Sequence, residues 1–162
     1  MASEISPKAE ISPKAKIGNN CVIMPFAYIE DDVEIGDGCI IFPFVSICSG
    51  TRLGARNKVH QGTVLGALPQ DFEFKGEKSE CIIGDNNIFR ENVVVNRATH
   101  RGCATVIGND NVLMEGAHIS HDVASPWATR SRSLSPTSIS TARPSTSHWW
   151  KRHAKCLAPS DN

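Results

Sequence analysis

The chain has 162 residues, of which 40% are hydrophobic and 21% are charged, and its formal net charge is zero. This length and composition are typical of one soluble globular domain, and no apolar run approaches the roughly 20 residues of a membrane span. The neutral total hides two unlike segments, because residues 1–123 hold 16 of the 17 acidic side chains and residues 124–162 hold six of the 17 Lys and Arg.

No signal peptide opens the chain, and its six cysteines show no paired-motif spacing. These features predict a cytoplasmic protein with reduced thiols. We expect neither a membrane span nor a nucleic-acid partner.

Aliphatic residues recur at every sixth position in the first part of the chain. They are Ile5, Ile11, Ile17, Ile23, Ile29, Ile35, Ile41, Ile47, Leu53, Val59 and Leu65. A period of six fits neither the 3.6-residue turn of a helix nor the two-residue repeat of a half-buried strand. It predicts an all-β fold, with a short strand and a corner every six residues, wound into a triangular parallel β-helix of about six coils.

A glycine follows the aliphatic residue once per coil. These glycines are Gly18, Gly36, Gly54, Gly84 and Gly108. Because glycine adopts backbone angles that other residues avoid, we expect them to mark one corner of each coil.

The spacing of these glycines predicts two loops. It is 18 residues in the first coils, then 30 residues from 54 to 84 and 24 residues from 84 to 108. The extra residues must leave the helix, and the broken hexads place them at 66–82 and 97–106, within a repeat domain of residues 1–123. Loops on a rigid scaffold are where functional side chains concentrate.

The hexapeptide pattern resembles that of the left-handed β-helix acyltransferases. Three further motifs make the resemblance more specific, namely the loop Pro69–Glu77, the tripeptide Phe89–Glu91 and the Ala-His-Ile-Ser-His-Asp run at 117–122. Together they are similar to the UDP-N-acetylglucosamine acyltransferase family that begins lipid A synthesis. The resemblance covers residues 1 to about 123, and it implies left-handed coils and a homotrimer with active sites between subunits.

The resemblance also implies a reaction. An acyl-carrier protein would donate a (3-hydroxy)acyl group, held as a thioester on its phosphopantetheine, to the 3-hydroxyl of UDP-N-acetylglucosamine. Such a transfer needs no metal or redox cofactor, but it needs a base and donors for the tetrahedral oxyanion. Histidine titrates near neutral pH, and a carboxylate can orient it. By resemblance, His121 is the general base, Asp122 orients it, and His118 contacts the substrate.

The first loop supplies further substrate contacts by the same resemblance. Gln70 and Asp71 would contact the sugar nucleotide. The family commonly has a basic residue where this chain has Glu73, whereas Lys75 could reach a phosphate as a flexible point charge. Arg90 could bind a phosphate or an acidic group of the carrier protein, or it could be an ion-paired strand residue.

Other functions stay open at this point. The γ-class carbonic anhydrases use the same β-helix with three zinc-binding histidines, but the histidines here show no recurring ligand spacing, so we expect no metal. Within residues 1–123 these histidines are His60, His100, His118 and His121. The rival readings are another hexapeptide acyltransferase or acetyltransferase, including the later lipid A N-acyltransferase, and a truncated fragment without catalysis.

The segment 124–162 departs from the repeat. It is rich in Ser, Arg and Pro, shows no hexads, and lacks the C-terminal helical domain that the resemblance implies. A disordered basic tail is one interpretation. We favour a frameshift, because the codons for Pro126–Thr129, read in another frame, encode a Val, Leu or Met followed by Gly, which is the coil marker.

Two sets of polar or thiol side chains are interpreted as structural. Cys21 and Cys39 lie one coil apart and are expected to stack in the core. Asn57, Asn87 and Asn111 share one hexad position and are expected to cap corners or form an asparagine ladder.

Overall fold

A computed structural model describes residues 2–125 of the chain, which form eighteen short strands joined by tight turns and two loops. The strands are β1 (Glu4–Ile5), β2 (Glu10–Ile11), β3 (Lys16–Ile17), β4 (Val22–Ile23), β5 (Tyr28–Ile29), β6 (Glu34–Ile35), β7 (Ile40–Ile41), β8 (Ser46–Ile47), β9 (Thr51–Leu53), β10 (Lys58–Val59), β11 (Val64–Ala67), β12 (Glu80–Ile83), β13 (Ile88–Phe89), β14 (Val94–Asn96), β15 (Ala104–Ile107), β16 (Val112–Leu113), β17 (His118–Ile119) and β18 (Ala124–Ser125).

The strands stack into three parallel six-stranded sheets. Sheet 1 contains β1, β4, β7, β10, β13 and β16, sheet 2 contains β2, β5, β8, β11, β14 and β17, and sheet 3 contains β3, β6, β9, β12, β15 and β18. Each strand from β1 to β15 pairs with the strand three places later, so one coil visits each sheet once. The result is a parallel β-helix of about six turns, which confirms the predicted fold. Over residues 2–125, no helix has the length and apolar character to span a bilayer.

The core is a column of aliphatic side chains along each sheet. Ile23 and Ile29 are 1% exposed, and Ile41, Ile47 and Leu65 are fully buried. Burying an aliphatic side chain of this size stabilises a fold by about 1.5–3 kcal/mol. The six-residue period therefore places aliphatic side chains inward on three faces, as a two-residue period does on one face of a flat sheet.

The glycines that follow the aliphatic residues are required for a different reason from the one predicted. In the tight turns from Asn20 onward, the left-handed backbone region is occupied one position before the small residue, as at Asn20, Phe26 and Asp32, whose φ angles are 55°, 64° and 53°. Gly36 lies outside that region, and a Cβ there would sit 2.7 Å from the carbonyl carbon of Gly54 in the next coil. The corner prediction was therefore wrong in its cause: these glycines permit close approach of consecutive coils.

A column of polar side chains links each coil to the next at the edge before sheet 1. Each member donates to the carbonyl of a glycine one coil later. The bonds run from Ser3 to Gly18 at 2.7 Å, from Cys21 to Gly36 at 3.2 Å, from Cys39 to Gly54 at 3.1 Å, from Asn57 to Gly84 at 2.9 Å, and from Asn87 to Gly108 at 2.9 Å.

Within this polar column, the three asparagines also bond directly to one another. The Asn57 Oδ1 accepts from the backbone N–H of Asn87 at 2.8 Å, and the Asn87 Oδ1 accepts from that of Asn111 at 2.9 Å. The predicted asparagine ladder is confirmed. Cys21 and Cys39 are buried as expected, and their thiols also serve as donors within it.

The two loops are shorter than the sequence predicts. Residues 68–79 join β11 to β12, and residues 97–103 join β14 to β15. The flanking residues of the predicted loops 66–82 and 97–106 belong to strands, since Ala67 pairs with Asn96 and Glu80 pairs with Ala104.

The ladder of sheet 3 runs to β18, where Val106 pairs with Ala124. It therefore passes the predicted boundary at residue 123 by two residues. The rest of the segment 124–162, with the frameshift hypothesis placed on it, lies outside the described residues.

Candidate active site

Both loops and the turn that carries His121 fall on one edge of the β-helix. The loop 68–79, the loop 97–103 and the turn 120–123 each connect a strand of sheet 2 to a strand of sheet 3. Because those strands are stacked coil upon coil, the three connections lie above one another. Residues that are about 25 positions apart in the sequence are thereby brought to one place, which we call the loop edge.

The side chains of His121 and Asp122, which are adjacent in sequence, contact each other at the loop edge. The Nδ1 of His121 lies 2.8 Å from Oδ2 of Asp122, and both side chains are about one quarter exposed. Asp122 has a φ of 58°, in the left-handed region that recurs at the corners. Its backbone N–H donates to the Thr105 Oγ1 at 3.0 Å, which fixes the backbone of the pair.

Thr99 is a member of this cluster that the sequence did not single out. Its hydroxyl oxygen lies 2.9 Å from Nδ1 of His121, and its backbone N–H lies 3.1 and 3.2 Å from the two carboxylate oxygens of Asp122. The broken hexads locate the loop that begins at 97, but a threonine carries no sequence signal that would pair it with a histidine 22 residues later.

Asp71 brings the first loop to the same cluster. Its Oδ2 lies 3.4 Å from the Thr99 hydroxyl and 4.0 Å from Nδ1 of His121. Its Oδ1 accepts from the backbone N–H of Glu73 at 2.9 Å, which closes a tight turn inside the loop. Of the residues predicted in this loop, Asp71 is the one whose recorded contacts reach the histidine.

The first loop is held against the coils by Asn96, the last residue of β14, and by Arg97, the first residue of the second loop. The side-chain amide of Asn96 donates to the Leu68 carbonyl at 2.6 Å. The Arg97 guanidinium donates to the Ser49 carbonyl at 3.0 Å and lies 5.5 Å from the ring centroid of Phe74. These contacts hold both ends of the segment that carries Asp71.

The electrostatics of the cluster keep Asp122 ionised. Partial burial works to raise the pKa of the Asp122 carboxyl, but hydrogen bonds from His121 and Thr99 outweigh it and lower that pKa below its ordinary value. A carboxylate cannot donate, so the His121 Nδ1 beside it carries the proton. The other nitrogen, Nε2, then has a free lone pair and is the basic atom of the ring.

His118 forms its hydrogen bond through Nε2, whereas His121 forms its own through Nδ1. Its Nε2 lies 2.5 Å from the Asn96 Oδ1, and that amide already donates to Leu68 through its nitrogen. The Asn96 oxygen must therefore accept, so Nε2 of His118 carries a proton. The two histidines present different atoms: His121 offers Nε2 and His118 offers Nδ1.

The other predicted residues stand apart from this cluster. Gln70, Glu73 and Lys75 are exposed on the first loop, and the backbone N–H of Lys75 donates to the Glu77 carboxylate at 2.6 Å. Which of Glu73 and Lys75 faces a substrate stays a prediction.

Arg90 is not brought to the loop edge. It follows β13, where the chain passes from sheet 1 to sheet 2, and so lies at the other end of the sheet 2 coil from His121. Its guanidinium pairs with the adjacent Glu91 at 3.0 and 3.2 Å. Its assignment as a substrate contact stays a prediction, while the ion-paired alternative describes its contacts.

The histidines that a zinc site would need contact different residues. The His60 ring stacks on Phe42 with the ring centroids 4.5 Å apart, whereas His118 and His121 take the partners described above. Within residues 2–125, no group of three or more His, Cys, Asp or Glu side chains could hold a metal ion.

Comparison with known proteins finds similarity to bacterial hexapeptide transferases and to UDP-N-acetylglucosamine acyltransferases. Residues 14–41 match the bacterial transferase hexapeptide (six repeats) family. An acyl-[acyl-carrier-protein]–UDP-N-acetylglucosamine O-acyltransferase of Chlorobaculum parvum is 49% identical over 120 residues, covering 74% of this chain and 46% of that protein. The enzyme of the same name from Akkermansia muciniphila is 49% identical over 119 residues.

A similar acyltransferase is also found among the solved structures. The crystal structure of a UDP-N-acetylglucosamine acyltransferase from Bacteroides fragilis matches with a TM-score of 0.71 and 52% identity, over 73% of this chain and 46% of that one. The chain thus spans about half the length of the relatives it matches.

Proposed function

We propose that this chain, a homologue of the UDP-N-acetylglucosamine O-acyltransferases over about three quarters of its length, carries the catalytic histidine of such an enzyme. The reaction would transfer a (3-hydroxy)acyl group from acyl-carrier protein to the 3-hydroxyl of UDP-N-acetylglucosamine, the first step of lipid A synthesis. The observation that carries the proposal is the pairing of His121 Nδ1 with the Asp122 carboxylate, which leaves Nε2 as a base.

The chemistry follows from the protonation of that ring. The Nε2 of His121 accepts the proton of the sugar hydroxyl while the hydroxyl oxygen attacks the thioester carbonyl carbon. The tetrahedral adduct collapses, the carbon–sulfur bond breaks, and the imidazolium returns its proton to the departing thiolate. Asp122 stabilises the imidazolium between these steps, as carboxylates do in other His–carboxylate pairs.

The surrounding residues fit a polar acceptor. Asp71, whose carboxylate lies 4.0 Å from the His121 Nδ1, and the Nδ1 of His118 are hydrogen-bond acceptors, which suits the hydroxyls of a sugar. Gln70 and Lys75 stand on the exposed part of the loop, where an amide and a flexible cation could meet the nucleotide. The repelling carboxylate of Glu73 would need to turn away from the diphosphate.

Acyl-carrier protein, a homotrimeric assembly and a cytoplasmic location belong to the same proposal. The relatives are named as enzymes that use acyl-[acyl-carrier-protein] as the donor. A β-helix with flat outer faces suits side-by-side assembly, and sites between subunits would complete a cluster that stands on one exposed edge.

The test is an acylation assay of the 162-residue chain with an acyl-carrier-protein thioester and UDP-N-acetylglucosamine. We expect transfer by the chain and a loss of about 10²–10⁴-fold in His121→Ala, the usual effect of removing a general base. His60→Ala is the matched control, because it removes a histidine from a different edge, and it should retain activity. Near-normal turnover by His121→Ala, or no transfer by the folded chain, would overturn the proposal.

A further inference from the structure

Thr99 lies where three separate segments of the chain meet. It is 1% exposed, and its contacts reach Asp71 on the first loop, His121 on the last turn, and both carboxylate oxygens of Asp122. Its own segment is the second loop. No other residue described at the loop edge contacts all three of these side chains.

Counting donors gives one arrangement that satisfies every atom. A threonine hydroxyl has one proton and can also accept, whereas the two carboxylates only accept. With a proton on Nδ1, the His121 ring donates to Asp122 at 2.8 Å and shares that proton with the Thr99 oxygen at 2.9 Å. The Thr99 hydroxyl proton is then directed to Asp71 at 3.4 Å.

The opposite tautomer leaves conflicts. Without a proton on Nδ1, the ring lone pair would face the Asp122 carboxylate at 2.8 Å. The single Thr99 proton would then be required by both Nδ1 and Asp71. The hydroxyl therefore favours the same tautomer as Asp122 does, and it does so only when Asp71 is in place to take its proton.

We infer that Thr99 is a positioning residue that couples the first loop to the imidazole of His121. When the loop places Asp71 against the Thr99 hydroxyl, that hydroxyl accepts from Nδ1–H and holds the ring with Nε2 unprotonated. The tautomeric part of this inference stands on geometry alone, and its catalytic consequence rests on the proposed function.

The chain supplies a matched control in Thr105. This threonine is also buried, and its hydroxyl accepts from the backbone N–H of Asp122 and has no contact with the His121 ring. Replacing either threonine by valine removes one buried hydroxyl at nearly constant volume. Only the Thr99 replacement removes a partner of the imidazole, and it keeps the backbone N–H bonds to Asp122.

The experiment reads the histidine tautomer without requiring turnover. The ¹⁵N-labelled full chain is examined by long-range ¹H–¹⁵N correlation spectra near pH 8.5, where an ordinary imidazole is neutral, and the His121 ring is assigned with His121→Gln. We expect the Nδ1–H form in the unmodified chain and a rise of at least about fivefold in the Nε2–H to Nδ1–H ratio in Thr99→Val, the effect of one net hydrogen bond.

Thr99→Ser should restore the original tautomer, Asp71→Asn should shift it in the same direction as Thr99→Val, and Thr105→Val should leave it unchanged. An unchanged ratio in Thr99→Val, or an equal shift in Thr105→Val, would overturn the inference. If the chain transfers acyl groups, Thr99→Val should also lower kcat about tenfold with little change in KM. If it transfers none, the proposed function fails and the tautomer ratios still decide the role of Thr99.

Discussion

The coils of residues 2–65 and those of residues 66–125 have the same cross-section but different edges. Both keep the same ladder register, with Val59 opposite Phe89 and Leu65 opposite Val95 across the first interruption. In the first part all three corners are tight turns, whereas in the second the edge between sheets 2 and 3 carries the two loops. The difference shows that insertions at one edge leave the pairing of consecutive coils intact, apart from a local register shift between Leu65 and Ala67 on sheet 2.

Stability and chemistry are therefore placed in different parts of each coil. The inward aliphatic column and the polar column supply stability in both regions, and the loop edge supplies the candidate site in the second. Changes to the columns should alter the free energy of unfolding, and changes at the loop edge should alter the tautomer of His121. The following four measurements test this division, from the largest expected effect to the smallest.

Ile41→Ala should lower the free energy of unfolding by about 2–5 kcal/mol, because Ile41 is fully buried and its removal leaves a cavity between coils. Urea denaturation measures the change. The control is Phe72→Ser on the first loop, whose side chain is 107% exposed and should change stability by less than about 0.5 kcal/mol. Equal losses in the two variants would contradict the division.

Asn87→Ala should cost about 1–3 kcal/mol, since it leaves the backbone N–H of Asn111 and the Gly108 carbonyl without their partner. The effect should appear in the urea midpoint with an unchanged tautomer of His121. A variant as stable as the unmodified chain would mean that the ladder does not contribute to stability.

Gly36→Ala should cost about 1–3 kcal/mol, because the new Cβ would meet the Gly54 backbone and push consecutive coils apart. Gly116→Asn is the control, since Gly116 has a φ of 67° with open space around it, and asparagine tolerates that backbone. Its thermal midpoint should stay near that of the unmodified chain. A larger loss at Gly116 would restore backbone angle as the dominant requirement for glycine in this fold.

Asp122 should contribute a small pH-dependent term. Its folded pKa is lower than the value of about 3.9 for an unfolded carboxyl, so its stabilising contribution is present above that value and is lost as the pH falls through the folded pKa. Asp122→Asn should therefore show a shallower fall in stability below about pH 4 than the unmodified chain. Parallel acid-unfolding curves would show that the carboxylate is not selectively stabilised in the fold.

The sequence was sufficient for the scaffold because the scaffold is periodic. Eleven aliphatic positions and one repeated glycine determine the coil, and each further hexad repeats the same physical demand. The broken hexads also located both loops. However, residues such as Ala67 and Glu80 belong to the flanking strands and not to the loops. Backbone pairing has no side-chain requirement at those positions, so a sequence pattern could not assign them.

The candidate site was only partly predictable. His121 and Asp122 were identified by a motif, and Asp122 occupies the left-handed corner position that the hexads repeat, but the motif does not specify that the two adjacent side chains contact each other. Thr99 and Asn96 were missed because their partners are 22 residues away and are brought near by the stacking of coils. Arg90 was grouped with the site by resemblance, and its position on another edge follows from counting turns.

The polar column of Ser3, Cys21, Cys39, Asn57 and Asn87 has a consequence for how coils recognise one another. An aliphatic ladder is nearly indifferent to sliding, because every inward residue resembles the next. A donor that must meet one particular glycine carbonyl in the following coil is not indifferent. The donor is a hydroxyl, a thiol or an amide along the axis, and its acceptor is always the glycine carbonyl at the same corner. The column therefore sets the register of each coil on the next, because a slip of one hexad would keep the aliphatic residues paired but take every polar donor away from its acceptor.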